Sequence, residues 1–148
     1  MSTAIVTLKK GEGRSLKQGG PWIYDNEISG ITGEVEDGDV VQVQDFNGYP
    51  LGQGFLNRKS KLTVRMMTRD PNARIDEDFI RMRLKNAWEY RKKVVDTGSC
   101  RLVFGEADFL PGIVVDKFSD VLVVESLALG IERFKPMIVA ILKELLAQ

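Results

Sequence analysis

The sequence contains no histidine and a single cysteine, Cys100, in 148 residues. The missing histidine excludes a Ser-His-Asp or Cys-His nucleophile pair, His-ligated zinc and a histidine general base. One cysteine cannot form an internal disulfide, and the N-terminus lacks a secretory apolar segment, so we expect a cytoplasmic protein. No apolar run approaches the roughly 20 residues that cross a bilayer, which predicts no membrane partner.

Net charge is also absent, because 21 basic and 21 acidic residues cancel. Overall charge therefore gives no argument for a nucleic-acid partner, and any such argument must come from local segregation of charge. The content of 43% hydrophobic and 28% charged residues is typical of a folded chain, with room for one domain or two small ones.

The first half of the chain has the pattern of a small β fold. Short apolar or alternating segments recur between turn signals such as Asp37-Gly38 and Asn47-Gly48. About five strands with this spacing favour a small β-barrel over residues 1–70. The predicted extended segments are residues 3–8, 22–24, 40–43, 49–56 and 62–67. Gly52 and Gly54 within one of them predict a bulge or a close backbone approach.

Two groups of cations lie at opposite ends of this half. The first is Lys9, Lys10, Arg14 and Lys17, and the second, which has no acid within it, is Arg58, Lys59, Lys61, Arg65 and Arg69. If the first and last strands are neighbours in the barrel, the groups merge into one basic patch suited to RNA phosphates. The alternative is a pair of solvated strand ends.

Two aromatic residues, Trp22 and Tyr24, lie between these groups in sequence. They can offer a stacking face to an unpaired RNA base. The alternative, which composition favours, is that Trp22 fills the barrel core, because large aromatic side chains dominate small cores.

The second half, residues 71–148, has the pattern of a small α/β domain. Asp70-Pro71-Asn72 is a turn signal at which the apolar period changes from two to nearly four. A helix is predicted over residues 77–95 with Asp76 as its N-cap, and an apolar stripe after Gly130 predicts a last helix. Residues 102–104, 113–115 and 121–127 form strands between them. The predicted fold class is α+β.

The loop between the first two of these strands carries Glu106, Asp108 and Phe109 between Gly105 and Gly112. One interpretation is that the carboxylates are turn formers that bond to nearby backbone amides. The other is that the loop faces another domain or a substrate, since loops placed by rigid strands often carry function.

The segment from Arg101 to Asp108 and the segment from Leu110 to Phe118, whose sequence is LPGIVVDKF, resemble the central motif of large-subunit rRNA cytosine-C5 methyltransferases. Further similar segments are 10–24, 52–65 and 74–88. The resemblance implies an N-terminal PUA domain, a central α/β domain, a C-terminal Rossmann-like domain that uses S-adenosylmethionine, and 23S rRNA as partner. Relatives often have a histidine before the Pro-Trp pair, where this sequence has Gly20.

The resemblance also implies that the catalytic part lies outside this sequence, which then is an N-terminal fragment. Family members continue for roughly another 250 residues, one to two domain lengths. The two G-x-G pairs, at residues 11–13 and 52–54, lack the third glycine and following helix of a nucleotide-binding turn. We therefore expect no catalytic residue, cofactor site or metal site in these residues.

Three functions of different classes remain open. The first is the RNA-binding and substrate-positioning region of an rRNA methyltransferase. The second is a stand-alone PUA-type RNA-binding adaptor. The third is a dimerisation or scaffold segment in which the strand at Val121 and the last helix form a protein interface, which allows a homodimer.

Overall fold

The computed structural model describes residues 3–147, and the chain divides into two compact units, Met1–Ala73 (unit 1) and Arg74–Gln148 (unit 2). Unit 1 is a six-stranded sheet with one short helix, and unit 2 combines helices with a three-stranded antiparallel sheet. The predicted α+β fold class is confirmed.

The strands of unit 1 are short and mostly antiparallel. They are β1 (Ile5–Leu8), β2 (Trp22–Tyr24), β3 (Ile28–Thr32), β4 (Val40–Gln44), β5 (Pro50–Leu56) and β6 (Leu62–Thr68), with α1 (Arg14–Lys17) between β1 and β2. Their order in the sheet is β2-β6-β5-β4-β1-β3, and β1 and β4 run parallel. The sequence did not predict β3, whose residues include Gly30.

The first and last predicted strands, β1 and β6, are not neighbours in the sheet. Among the described residues, β1 lies between β4 and β3, while β6 lies between β5 and β2. The two edge strands, β2 and β3, are instead consecutive in sequence and are joined by a 3-10 turn, Asp25–Glu27. Three residues span only about 10 Å, so the sheet must curl until its edges lie close together.

The core of unit 1 follows the alternation of its strands. The fully buried residues of β1 and β4 are Val6, Leu8, Val41 and Val43. Thr7 and Gln42, which alternate with them along the strands, are half-buried. In β2 the buried residue is Ile23, at 0% exposure, while Trp22 is 37% exposed. The expectation that Trp22 fills the core is therefore wrong, because the pairing of β2 with β6 turns the other face of this strand inward.

The prediction of a close backbone approach in β5 is confirmed. A Cβ added at Gly54 would lie 2.5 Å from the carbonyl oxygen of Arg65, in the neighbouring strand β6. The register of the two strands also shifts between Gln53 and Gly54. Only glycine lets the two strands pair at this point.

Unit 2 contains α2 (Glu77–Val94), β7 (Ser99–Phe104), β8 (Ile113–Phe118), β9 (Val121–Ser126), α3 (Leu129–Glu132) and α4 (Lys135–Leu146). The sheet order is β7-β8-β9, and α2 packs on both β7 and α4. Ile80 and Leu84 of α2 and Ile138 and Ile141 of α4 are fully buried. The apolar stripe of the last helix is therefore used inside the unit.

Helix α2 begins at the predicted residue, Glu77, and ends one residue earlier than predicted, at Val94. The Asp76 side chain accepts a hydrogen bond from the Phe79 amide at 3.1 Å, which confirms it as the N-cap. Acidic residues occupy the first turn and basic residues the last, where the helix dipole favours each. Val95, expected on the buried side, is 46% exposed because the helix ends at Val94.

Candidate nucleic-acid interface

The 3-10 turn of unit 1 brings cations from both ends of the sheet together. The Lys9 amide donates to the Glu27 carbonyl at 2.8 Å, and the Asp25 amide donates to the Lys61 carbonyl at 2.8 Å. Lys9 and Lys61 thus lie on either side of a three-residue turn, and both are exposed. The two basic groups meet through this turn rather than through pairing of β1 with β6.

Two aromatic side chains occupy the outer face of the neighbouring edge strand. Trp22 is 37% exposed and Tyr24 is 44% exposed, with the buried Ile23 between them. Trp22 lies directly opposite Arg65 in the antiparallel pair, so the indole and the guanidinium group share one face of the sheet. The surface around β2 therefore combines aromatic rings with positive charge, as single-stranded nucleic-acid sites do.

Glu27 stabilises this arrangement from within the turn. Its carboxylate accepts a hydrogen bond from the Tyr24 amide at 2.7 Å, at the point where β2 gives way to the turn. The Tyr24 amide lies at the start of the 3-10 turn, where it has no backbone partner within the turn itself. Its bond to Glu27 therefore fixes the direction in which the chain leaves β2.

Arg58, Arg69 and Lys17, among the predicted cations, have structural partners. The Arg58 Nε lies 3.0 Å from an Asp37 oxygen, and hydrogen bonds from the Arg58 amide and side chain hold the pKa of Asp37 below its usual value. Arg69 donates to the carbonyl groups of Leu16 at 2.6 Å and Gly20 at 3.1 Å. Lys17 lies 3.9 Å from Asp45.

The remaining predicted cations differ in exposure. Lys9, Lys10, Arg14, Lys59 and Lys61 are exposed, and Arg65 is half-buried beside Trp22. Arg69 differs from these cations, because its bonds to the Leu16 and Gly20 carbonyl groups connect α1 and the residues after it to the end of β6. Of the exposed set, Lys9 and Lys61 have backbone hydrogen bonds with the 3-10 turn, and Lys10 and Lys59 lie within two residues of them in sequence. We treat these four lysines with Trp22, Tyr24 and Arg65 as the β2 surface.

In unit 2, the carboxylates of the loop 105–112 bind local donors. Asp108 accepts two hydrogen bonds from Arg91 of α2, at 2.9 and 2.7 Å, and one from the Phe104 amide at 2.6 Å. Glu106 accepts from the Gly112 amide at 3.0 Å. These contacts fit the interpretation of Glu106 and Asp108 as turn formers, because they fix the loop to its own unit.

Phe109, the third residue predicted to face a partner, differs from the two acids. It is 69% exposed and adopts the left-handed conformation, with φ 61°. A cavity of about 390 Å³ adjoins it, lined in part by Asn86, Tyr90 and Arg91 of α2. Sequence reasoning missed these three residues. The one available signal was their spacing, since residues 86 and 90 lie one turn apart on the same helix face.

Of the two elements named in the protein-interface hypothesis, only β9 exposes large apolar side chains. Val121, Val123 and Leu127 are 55%, 50% and 57% exposed, and β9 is an edge strand of its sheet. Helix α4 does not share this exposure, since Ile138, Ile141 and Leu142 are all buried.

Within residues 3–147, no cluster of three or more acidic, cysteine or histidine side chains could hold a metal ion. In the same part of the chain, each helix is too short or too polar to pass through a bilayer.

Comparison with known families places the first unit. Residues 6–69 match the family model of a PUA-like domain. Unit 1 is PUA-like. This assignment agrees with the curled sheet of short strands that the structure shows over the same residues.

Curated relatives match both units. Ribosomal RNA large subunit methyltransferase I of Pseudoalteromonas translucida (strain TAC 125) is 37% identical over 143 residues, which are 95% of this chain and 36% of that protein. The protein of the same name from Cronobacter sakazakii (strain ATCC BAA-894) is 34% identical over 148 residues, covering 98% of this chain and 37% of its own length. The chain is homologous to these proteins and spans little more than a third of their length.

Solved structures share the fold at lower identity. A Streptococcus mutans protein, proposed to be a SAM-dependent methyltransferase, matches with a TM-score of 0.79 at 16% identity, over 95% of this chain and 37% of its own. A second structure, of a proposed methyltransferase complexed with SAH, matches with a TM-score of 0.79 at 17% identity, over 97% and 37%. These likenesses extend the shared fold across both units.

Proposed function

We infer that this chain is the RNA-binding and substrate-positioning region of an S-adenosylmethionine-dependent rRNA methyltransferase, with C5 of a cytosine in 23S rRNA as the methylated atom. The observation that carries the proposal is the β2 surface, where exposed aromatic rings and lysines meet on a PUA-like unit. The homologous rRNA large subunit methyltransferases support rRNA as the ligand. Such a protein works in the cytoplasm, where rRNA is processed.

The residues of this chain do not fit S-adenosylmethionine. A cofactor site of that kind needs a parallel strand followed by a glycine-rich turn into a helix. The described strands of unit 2 are all antiparallel. In unit 1, β1 pairs in parallel with β4 and is followed by Gly11, Gly13 and α1, but the third glycine is missing and α1 has only four residues. We therefore assign no catalytic step to these residues.

The part that these residues play is positional. The lysines around the 3-10 turn bind backbone phosphates, which fixes RNA on the surface without reading its sequence. Trp22 and Tyr24 stack on unpaired bases, since base stacking requires exposed ring faces. Arg65, opposite Trp22, adds charge beside the stacked base.

A test replaces Lys59 and Lys61 together by alanine. Both side chains are exposed, so the fold should tolerate the change, whereas Arg58 is excluded because it anchors Asp37. Affinity for a single-stranded rRNA fragment, measured by fluorescence anisotropy, should fall alike for all sequences. The slope of log affinity against log salt should decrease by about 0.7–0.9 for each phosphate that the variant no longer binds.

The matched control is Lys143→Ala, which removes an exposed lysine from α4 of unit 2 and should leave affinity and slope unchanged. If the double variant binds RNA with wild-type affinity and salt slope, the lysines do not contact phosphate and the proposal is wrong.

Two other functions remain as alternatives. A stand-alone PUA-type adaptor would bind RNA equally well, and sequencing the gene beyond Gln148 distinguishes it from a methyltransferase region. A dimerisation segment would use the edge strand β9, and light scattering that shows a stable dimer would favour it.

A further inference from the structure

A cavity in unit 2 has the size and lining of a ligand site. It is an open cleft of about 390 Å³ between α2 and the loop 105–112, and Asn86, Tyr90 and Phe109 contribute to its walls. Its volume falls within the range of roughly 300–1,000 Å³ that small-molecule sites occupy. The β2 surface belongs to unit 1, so this cavity is a separate site.

Two arginines of α2 hold the cavity in shape. Arg91 binds Asp108 through both terminal nitrogens and donates from Nε to the Arg101 carbonyl at 2.9 Å. Arg83 donates to the Phe109 carbonyl, and its guanidinium carbon lies 4.2 Å from the centre of the Phe79 ring. The loop is thus fixed to the helix on both sides of the cavity, so a ligand needs no costly rearrangement to enter.

Phe109 is the left-handed residue that ends the 3-10 turn at residues 105–108. Its φ of 61° and ψ of 29° are left-handed, a region that glycine and asparagine occupy more easily than a bulky residue. The side chain is nevertheless 69% exposed, so it buries little apolar area in exchange. The cap therefore presents an exposed aromatic ring at the edge of the cavity, where it can contact a ligand.

The opposite wall offers a second ring and an amide. Tyr90 is 57% exposed, and Asn86 lies one helical turn before it. An amide side chain both donates and accepts hydrogen bonds, as the edges of nucleobases do. The combination of two exposed rings with one amide matches a flat aromatic ligand that has a hydrogen-bonding edge.

The charges around the cavity match a nucleotide. Asp108 neutralises Arg91 inside the wall, so the interior carries no net charge from this pair. Positive charge lies at the rim, where the Arg83 guanidinium carbon is 5.7 Å from the centre of the Phe109 ring and Lys93 follows Tyr90 by one turn. Burial lowers the pKa of the Arg83 guanidinium, which nevertheless stays charged at neutral pH.

We propose that this cavity takes one unpaired base of a bound RNA, stacked on Phe109 and Tyr90 with its edge at the Asn86 amide. The proposal rests on the RNA-binding function given above and adds a second RNA contact, in unit 2. Phosphates on either side of the base meet Arg83 and Lys93 at the rim.

The test compares two probes on the complete 148-residue chain. One is a single-stranded oligoribonucleotide of about twelve nucleotides, and the other is its abasic counterpart, which keeps the phosphates and lacks the bases. Phe109→Gly suits the left-handed backbone and should stay folded, as a thermal melt will show. It should bind the first probe about 5- to 150-fold more weakly, the change that corresponds to the roughly 1–3 kcal/mol of one base stack, and the abasic probe as wild type does.

Two further variants sharpen the result. Phe109→Tyr keeps an aromatic ring and should restore most of the affinity, whereas Tyr90→Ala should reproduce the loss. Phe118→Ala is the matched control, because Phe118 is also exposed, at 54%, and is not among the residues that line the cavity.

The outcomes separate this proposal from the one on which it rests. If wild type binds the normal probe and Phe109→Gly binds it equally well, RNA binding stands and the base pocket is wrong. Retained RNA affinity with loss of binding to a protein domain would assign Phe109 to a protein partner and would also overturn the proposal. If wild type binds neither probe, the RNA-binding function itself fails.

Discussion

Single side chains decide what the loop 105–112 contributes to stability. Arg91 and Asp108 are only 12% and 10% exposed, and removing one partner leaves the other charge buried without compensation. Asp108→Ala should therefore destabilise unit 2 by about 3 kcal/mol or more, lowering its melting temperature by on the order of 10 °C. Glu106→Ala loses one bond to an amide and should cost about 1 kcal/mol. Denaturant unfolding of the two variants measures both changes.

Glu125→Ala serves as the control for these variants, because it removes an exposed acid from the edge strand β9. It should change stability by no more than about 0.5 kcal/mol. If Asp108→Ala is as mild as this control, the ion pair does not hold the loop. The sequence left the role of Asp108 open because its partner, Arg91, lies 17 residues away on a helix whose rotation depends on tertiary packing.

At the scale of an element, β2 shows the limit of what a pattern predicts. The sequence correctly predicts an extended Trp22–Tyr24 segment. A three-residue strand with apolar side chains on both faces does not, however, specify which face is buried. Pairing with β6 decides which face of β2 is turned to the core, and Ile23 is the residue that is buried. Longer alternating strands such as β4 specify their own faces, and there the sequence predicted the buried residues correctly.

The exposed rings of β2 make a prediction at the same scale. Trp22→Ala and Tyr24→Ala should each weaken single-stranded RNA binding by about 1–3 kcal/mol, since each removes one stacking surface. Both rings are substantially exposed, so folding should change much less than binding. Anisotropy titrations give the affinities and thermal melts give the stabilities. Tyr49→Ala, at 67% exposure in the β4–β5 turn, is the control that should bind normally.

For the whole molecule, the sheet topologies predict what the chain cannot do alone. Neither unit offers, in its described residues, the glycine-rich strand-to-helix turn that a nucleotide cofactor requires. Residues 1–148 should therefore show no S-adenosylmethionine binding in calorimetry and transfer no methyl group to rRNA. Micromolar cofactor binding by the purified chain would contradict this prediction. A longer protein that includes the remainder of the relatives' length is the positive control.

The 3-10 turn Asp25–Glu27 has a consequence for how unit 1 opens. Its two backbone hydrogen bonds, from Lys9 to Glu27 and from Asp25 to Lys61, connect segments that are 18 and 36 residues apart in the chain. If these two hydrogen bonds opened by local unfolding, the sheet would uncurl and the lysines on either side of the turn would separate. RNA that binds lysines on both sides of the turn can bind only while the sheet is curled. Such RNA therefore stabilises the curled sheet against local unfolding. The backbone amides of Lys9 and Asp25, which donate these bonds, should therefore exchange hydrogen with solvent more slowly once RNA is bound.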